Sequence, residues 1–281
     1  MTTLTRLLAD LTARLGGRLD HQAARREARL LVAHATGLDR LRQAADPAAP
    51  IPPEACAQAL DLAERRARGA PLAYLLGQRE FFGLEFAVGP GVLVPRPDSE
   101  VLVEAALAHL PPDRPARIVD LGTGSGCLLL AVLAERPLAY GLGVDRSAAA
   151  LGYARLNAHR LGLADRAGFV QGDWWQALGG RFDVVLANPP YIRSAEIDGL
   201  MPEVRDHEPR EALDGGSDGL ADYRCLLAGL PDHLADGGCA LFEIGYDQGA
   251  DLLALARAAG FCRAKLLPDL AGHDRCLVIA G

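Results

Sequence analysis

The chain of 281 residues has one lysine, Lys265, and no run near the 18 or more uninterrupted apolar residues that cross a bilayer, although half its residues are hydrophobic. A membrane-spanning helix is excluded, while a sizeable core is well supplied. The six cysteines (Cys56, Cys127, Cys225, Cys239, Cys262, Cys276) include no CxxC pair, and the histidines, His34, His109 and His159 among them, form no metal-spaced pair. No metal site or redox motif is signalled, and reduced thiols in a cytoplasmic protein are the simplest reading. Repeats and low-complexity tracts are also missing. The opening MTTLTRLLADLTARLGG carries acid and regular polar positions, which argues against a secretory signal.

The net charge of −7 is uneven: residues 1–80 hold 12 arginines against 9 acidic residues, for +3, and the remainder sums to −10. A basic stripe that would track nucleic acid is absent from the larger, acidic part. That imbalance is equally compatible with a partner preference and with plain compositional bias.

What is present divides by period. Leu4, Leu7, Leu8, Leu11 and Leu15 follow helical spacing, as do Ala24, Ala28, Leu31, Val32 and Ala35, with Gly37 as a stop. The Pro-rich stretch from Asp46 to Pro53 is a connector, and Pro53 suits the first position of a helix running to Gly69. In residues 79–94 the period changes, and Phe81, Phe82, Phe86 and Val88 around Gly83 predict a hairpin. Asp98 or Ser99 is placed to cap the helix that follows. From about residue 116 strands alternate with helices. Strands are expected at 117–121, 139–144, 167–171, 183–187, 238–243, 262–267 and 274–280, and helices near 125–135, 147–161, 219–235 and 247–259. Such alternation predicts an α/β fold with a mainly parallel seven-stranded sheet covered on both faces, its loops gathered at the strands' C-terminal ends.

The motifs sit at those ends. Asp120-Leu121-Gly122-Thr123-Gly124-Ser125-Gly126 runs from the first strand of the alternating part into a helix, where glycines allow a tight turn and close approach to a ligand. A nicotinamide fingerprint needs a third glycine where Cys127 stands, and Asp120 repels a pyrophosphate while suiting an ammonium group. Asp145 ends the next strand, where a carboxylate takes both ribose hydroxyls or else caps the following helix. Asp173 and Trp174 follow the third strand: a carboxylate accepts from an adenine amino group and an indole packs on a purine face, although one of Trp174 and Trp175 is expected in the core or its rim. Cys127 has no basic neighbour in sequence and reads as a buried thiol. Asn188-Pro189-Pro190-Tyr191 follows the apolar run 183–187. Two prolines stiffen that turn, leaving the Asn188 amide oxygen and backbone carbonyls to accept the two hydrogens of an NH2 group, with Tyr191 over its plane. This arrangement suits methylation of a planar nitrogen.

Taken together, the DLGTGSG segment, Asp145, Asp173-Trp174 and Asn188-Pro189-Pro190-Tyr191 resemble the class I S-adenosylmethionine-dependent methyltransferases. Tyr74-Leu75-Leu76-Gly77, Glu80-Phe81-Phe82-Gly83, Val94-Pro95-Arg96-Pro97, Glu208-Pro209-Arg210, Ala212-Leu213-Asp214-Gly215-Gly216 and Asp269-Leu270-Ala271-Gly272 narrow the resemblance to the peptide chain release factor glutamine methyltransferases, the PrmC/HemK family. Asp98-Ser99-Glu100 stands where that family reads Glu-Thr-Glu, which preserves the chemistry. The resemblance implies a helical substrate-docking domain over 1–75, a β-hairpin linker over 76–97 and a Rossmann-like S-adenosylmethionine-dependent methyltransferase domain over 98–281. It further implies that Asp120, Gly122, Thr123, Gly124, Ser125 and Gly126 hold the amino-acid portion of the cofactor, Asp145 its ribose, and Asp173 and Trp174 its adenine. Asn188 would touch both cofactor and substrate. Asn188, Pro189, Pro190 and Tyr191 would hold the glutamine of a release factor's Gly-Gly-Gln loop, with Asn188, Pro189 and Tyr191 catalytic. The products would be N5-methylglutamine and S-adenosylhomocysteine, made by a monomer acting on release factors, free or on the ribosome.

Three other readings compete. A DNA or RNA exocyclic-amino methyltransferase uses the same Asn-Pro-Pro-Tyr logic but needs a basic groove. A binding module that has lost catalysis has no need of an intact Asn188-Pro189-Pro190-Tyr191. A nicotinamide dehydrogenase fails at Cys127.

Overall fold

The computed structural model describes residues 2–176 and 178–281. They form two compact units: one ends at Gly77 and also takes in Pro202–His207, and the other comprises Gln78–Met201 and Glu208–Gly281.

The first unit is helical. Strand β1 (Thr2–Thr3) pairs antiparallel with β2 (Pro50–Ile51), and between them lie α1 (Leu4–Leu15), α2 (His21–Thr36) and α3 (Arg40–Ala45), followed by α4 (Pro53–Ala67) and α5 (Leu72–Leu76). The Asp20 carboxylate accepts from the Ala23 amide at 2.9 Å and so starts α2, while Gly37, left-handed at φ 71°, ends it. Pro53 is the first residue of α4, where its missing N–H costs nothing. Leu4, Leu7, Leu11 and Leu15 turn one face of α1 into the core, and each contributes about 1.5–3 kcal/mol on burial.

The second unit opens with the hairpin β3 (Gln78–Phe81) and β4 (Leu84–Ala87). Phe82 (φ 51°) and Gly83 (φ 72°) form its two-residue turn, both left-handed, as the twist of a tight hairpin requires. A non-glycine residue tolerates this because the Phe82 amide donates to Glu100 Oε1 at 3.0 Å and its ring packs on the core. A 3-10 turn, Pro97–Ser99, leads into α6 (Glu100–His109). Ser99 makes no side-chain cap there; its hydroxyl is drawn away to a buried carboxylate of a distant strand.

Then follow β5 (Ala116–Leu121), α7 (Cys127–Glu135), β6 (Ala139–Asp145), α8 (Ala148–Arg160), β7 (Ala167–Gln171) and β8 (Phe182–Ala187). After the short α9 (Pro202–Arg205), which packs in the first unit, come α10 (Ala221–His233), β9 (Leu234–Glu243), α11 (Gly249–Ala258), β10 (Ala264–Pro268) and β11 (Asp274–Ala280). The seven-stranded sheet has the order β10-β11-β9-β8-β5-β6-β7, parallel except for β11, which runs antiparallel to both its neighbours. Alternate residues of each central strand enter opposite cores: Val184 and Leu186 pack with α6 and α7, whereas Val185 and Ala187 pack with α10 and α11. Burial on both faces is why these strands read as unbroken apolar runs.

Candidate active site

Chain connectivity fixes where the loops meet. From β5 the chain winds outward through β6 to β7, then returns to place β8 on the other side of β5. The crevice at the C-terminal ends of β5 and β8 is therefore a topological switch point, the place where open α/β sheets bind ligands. Register pairs Leu121 with Ala187, so the glycine loop starting at Gly122 and the turn starting at Asn188 leave the sheet side by side. A cavity of about 540 Å³ opens there.

Of the residues singled out in the sequence, Gly122, Thr123, Gly124, Ser125, Asp145, Asp173, Trp174, Asn188 and Pro190 line this cavity, and Asp120, Gly126, Pro189 and Tyr191 do not. Asp120 lies beneath the loop, 1% exposed; its Oδ2 accepts from the Thr123 hydroxyl at 2.6 Å, and Oδ1 has no hydrogen-bond partner among the described residues. Gly126 (φ 81°) is glycine for packing rather than for a ligand, because a Cβ there would meet Leu130 Cδ1 at 3.1 Å and Ala154 Cβ at 3.3 Å, where α7 passes α8. Asp145 holds the loop: Oδ2 accepts from the Gly124 amide at 2.9 Å and Oδ1 from the Ser147 amide at 2.8 Å. The cap of α8 itself is Ser147, whose Oγ accepts from the Ala150 amide at 3.2 Å.

Burial pushes the Asp120 carboxyl up to about 7 against the Thr123 bond, and burial likewise pushes Glu243 to about 7. Between the ordinary carboxyl range and about 7 the folded chain thus binds more protons than the unfolded chain. Stability contributed by these two groups is present in acid and lost as the pH rises through that window. Urea unfolding at a series of pH values should show the fall, and Asp120→Asn should make it shallower.

The two tryptophans divide their roles. Trp174, at φ 46°, is held left-handed with its ring 3.5 Å from where a Gly122 Cβ would stand, and its Nε1 donates to Asp222 Oδ1 at 3.2 Å. Strain of this kind persists only where surroundings over-determine it. Trp175 instead stacks on His233 at 4.7 Å and donates to the Cys225 and Leu226 carbonyls, so it is the tryptophan of the core rim. Cys127 lines the cavity wall, yet burial lifts its thiol to about 12, which leaves it un-ionised.

At the end of β8, Asn188 Nδ2 donates to Ser99 Oγ at 3.4 Å, which leaves Oδ1 as the atom available to the cavity. Pro189 is buried, and the Tyr191 ring packs against the α10–α11 core with its hydroxyl 3.4 Å from Glu243 Oε1. The expected place of Tyr191 over a substrate plane is therefore not where this structure puts the ring. Gln248, 2% exposed, straps the turn by donating to the Tyr191 carbonyl at 3.0 Å and the Gly219 carbonyl at 3.1 Å. Gly215 allows the 213–219 loop to press on the same turn, since a Cβ there would stand 2.6 Å from the Pro190 carbonyl oxygen.

Several participants escaped the sequence reading. Asp222 anchors Trp174, Ser99 and Glu243 underlie Asn188, and Arg96 on the cavity wall pairs with Glu208 at 2.7 and 2.9 Å. Ser99 reads in the sequence only as a cap candidate and Arg96 and Glu208 only as parts of motifs that carry the family resemblance, while Glu243 shows as a lone acid ending the apolar run Cys239-Ala240-Leu241-Phe242. Among the described residues no group of three or more His, Cys, Asp or Glu is placed to hold a metal ion, and no helix is long and apolar enough to cross a membrane.

The chain matches the family model of the PrmC N-terminal domain over residues 6–77 and that of the methyltransferase small domain over residues 98–203. It is similar to a release factor glutamine methyltransferase of Caulobacter vibrioides, 46% identical over 253 residues covering 90% of this chain and 88% of the relative. It is also similar to one of Moorella thermoacetica, 45% identical over 280 residues, 98% of each chain. Among solved structures, a methyltransferase from Pyrococcus furiosus aligns with a TM-score of 0.52 at 19% identity, over 71% of this chain and 89% of that one, a likeness of fold.

Proposed function

Because the chain belongs to the release factor glutamine methyltransferase family, we propose that it methylates the side-chain amide nitrogen, N5, of the Gly-Gly-Gln glutamine of release factors, with S-adenosylmethionine held in the β5–β8 crevice. The observation that carries the site assignment is the Leu121–Ala187 register, which sets the glycine loop and Asn188 next to each other on one cavity.

The residues fit that cofactor. Asp145, Asp173, Glu211 and Asp222 on the wall outnumber Arg96 and Arg146, a balance suited to a ligand carrying a sulfonium and an ammonium. No Cβ rises from Gly122 or Gly124 between the loop and Trp174 or Val92. Gly122 to Ser125 would hold the amino-acid portion, with Asp120 acting from beneath and Gly126 through helix packing. Asp145 would hold the ribose, and Asp173 and Trp174 the adenine. When bound, the cofactor supplies an electrophilic methyl group on sulfur.

An amide nitrogen is a weak nucleophile because its lone pair is delocalised, so the chain's contribution is orientation and exclusion of water. Asn188 Oδ1, on the cavity wall, would accept one amide hydrogen and the backbone carbonyl of Pro189, between the wall residues Asn188 and Pro190, the other, which builds electron density on nitrogen and fixes its direction of attack. Tyr191 braces this turn through Glu243 rather than by stacking. Residues 1–75 dock the release factor, residues 76–97 link, and residues 98–281 do the chemistry, in a cytoplasmic monomer that takes its substrate free or on the ribosome.

The test is incubation with methyl-labelled S-adenosylmethionine and purified release factor, followed by peptide mapping. Label on the Gly-Gly-Gln glutamine is expected; label on DNA or ribosomal RNA alone would overturn the reading. Trp174→Ala should weaken cofactor binding by about 1–3 kcal/mol, the usual worth of an aromatic face against a base, measured by titration calorimetry.

A further inference from the structure

Glu243 ends β9, is 1% exposed, and lies under the Asn188 turn rather than on the cavity wall. One oxygen, Oε2, accepts the Ser99 hydroxyl in a short hydrogen bond; the other, Oε1, accepts from Tyr191 Oη at 3.4 Å; and its main-chain carbonyl accepts from Tyr223 Oη at 2.6 Å. A buried carboxylate at the end of an apolar central strand is costly, and an aliphatic side chain would fill the space without that cost. Its use lies in what it does to Ser99.

We propose that Glu243, acting through Ser99, fixes which edge of the Asn188 carboxamide meets the substrate, and so makes the site an acceptor that admits a glutamine NH2 and rejects a glutamate carboxylate. The inference rests on the assignment of Asn188 as the substrate-binding group. An ionised carboxylate only accepts, so the single hydroxyl proton of Ser99 is committed to Glu243. Ser99 then presents only lone pairs to Asn188. The Nδ2 edge satisfies them, at 3.4 Å, whereas the Oδ1 edge would set oxygen against oxygen. Asn188 therefore turns Oδ1 away from Ser99, and its amide direction is set by a residue that never touches the substrate. Glu243 and Ser99 are positioning residues.

The surroundings keep the chain of bonds polarised. Burial raises the Glu243 carboxyl to about 7, while the Ser99 bond, the Arg275 charge and the Tyr191 bond pull it down and Asp98 pushes it up. Cys127 and Cys276 also feel its charge, and their thiols are held well above the ordinary range by burial. Assays at about pH 8.5 accordingly read the ionised form.

Glu243→Gln keeps the shape but offers an N–H to Ser99, which frees the hydroxyl proton to go to Asn188 Oδ1 and turns the amide over. Turnover on release factor should fall on the order of 10²-fold, as on losing one transition-state hydrogen bond, while calorimetric affinity for S-adenosylmethionine is kept. A peptide with Gly-Gly-Glu in place of Gly-Gly-Gln, which should not bind the wild type, should become a competitive ligand of the variant. Ser99→Ala should also lower turnover, by about tenfold or more, and Ser99→Thr should restore it. Wild-type turnover in Glu243→Gln, or a loss with no gain of Gly-Gly-Glu binding, overturns the inference. Should Glu243→Gln fail to fold by circular dichroism, equal turnover in Ser99→Ala and Ser99→Thr overturns it instead. A wild-type enzyme that leaves release factor unlabelled refutes the proposed function, a result distinct from all of these.

Discussion

Asn188→Ala is expected to lower methyl transfer to release factor on the order of 10²–10³-fold, with affinity for S-adenosylmethionine preserved. Truncation removes an acceptor needed where charge develops on the amide nitrogen, but leaves the glycine loop, Asp145 and Trp174 as they are. The fold should survive too, because Asn188 is only partly buried and its side-chain hydrogen bond among the described residues is the long 3.4 Å contact to Ser99. The decrease should therefore lie in kcat, and single-turnover measurements with saturating cofactor should show it in full. Asn188→Asp is a sharper probe. It keeps an oxygen toward the cavity but sets a second one against the Ser99 lone pairs, so it should fail as well, although charge and size nearly match. Near-normal turnover in Asn188→Ala would remove this residue from the chemistry.

The parts of this site that the sequence carried are those written locally. Strands such as 183–187 are buried on both faces, so each appears as a short apolar run, and their parallel arrangement puts every functional turn directly after one. The residues after Leu121 and Ala187 could thus be named without coordinates, and register then brought them together. What stayed hidden depends on pairs far apart in the chain. Ser99 and Glu243 are 144 residues apart, Arg96 and Glu208 are 112 apart, and Trp174 and Asp222 are 48 apart. No spacing rule reaches that far. Ser99 illustrates the competition: its position before a helix predicts a cap, but a buried carboxylate is the stronger acceptor and takes the hydroxyl. The setting of Tyr191 is hidden for a related reason, since its phenol reaches Glu243, 52 residues away, and its ring packs against the core.

The second large effect is expected in the stability of the helical unit. Arg66 on α4 is 4% exposed and ties three elements: its Nε and Nη2 donate to Glu27 of α2 at 2.7 and 3.1 Å, and Nη1 donates to the Ala70 carbonyl at 3.1 Å and, in a short contact, to Glu203 of α9. Arg66→Ala leaves the Glu27 carboxylate buried and uncompensated, a loss that typically costs about 3–5 kcal/mol. Amide hydrogen exchange in α2 and α4 should quicken on the order of 10²-fold or more. Neighbouring Arg65 is the control: it pairs with Asp61 at 3.6 Å with both side chains at least half exposed, so Arg65→Ala should cost no more than about 1 kcal/mol. Geometry, not the count of ion pairs, separates the two. The same reasoning predicts that Glu27→Leu combined with Arg66→Met recovers most of the loss, since burying apolar groups costs less than burying one orphaned charge. Glu203, 28% exposed at its side chain, would then turn to solvent. Equal exchange in Arg65→Ala and Arg66→Ala would show that the buried fork contributes no more than a surface pair.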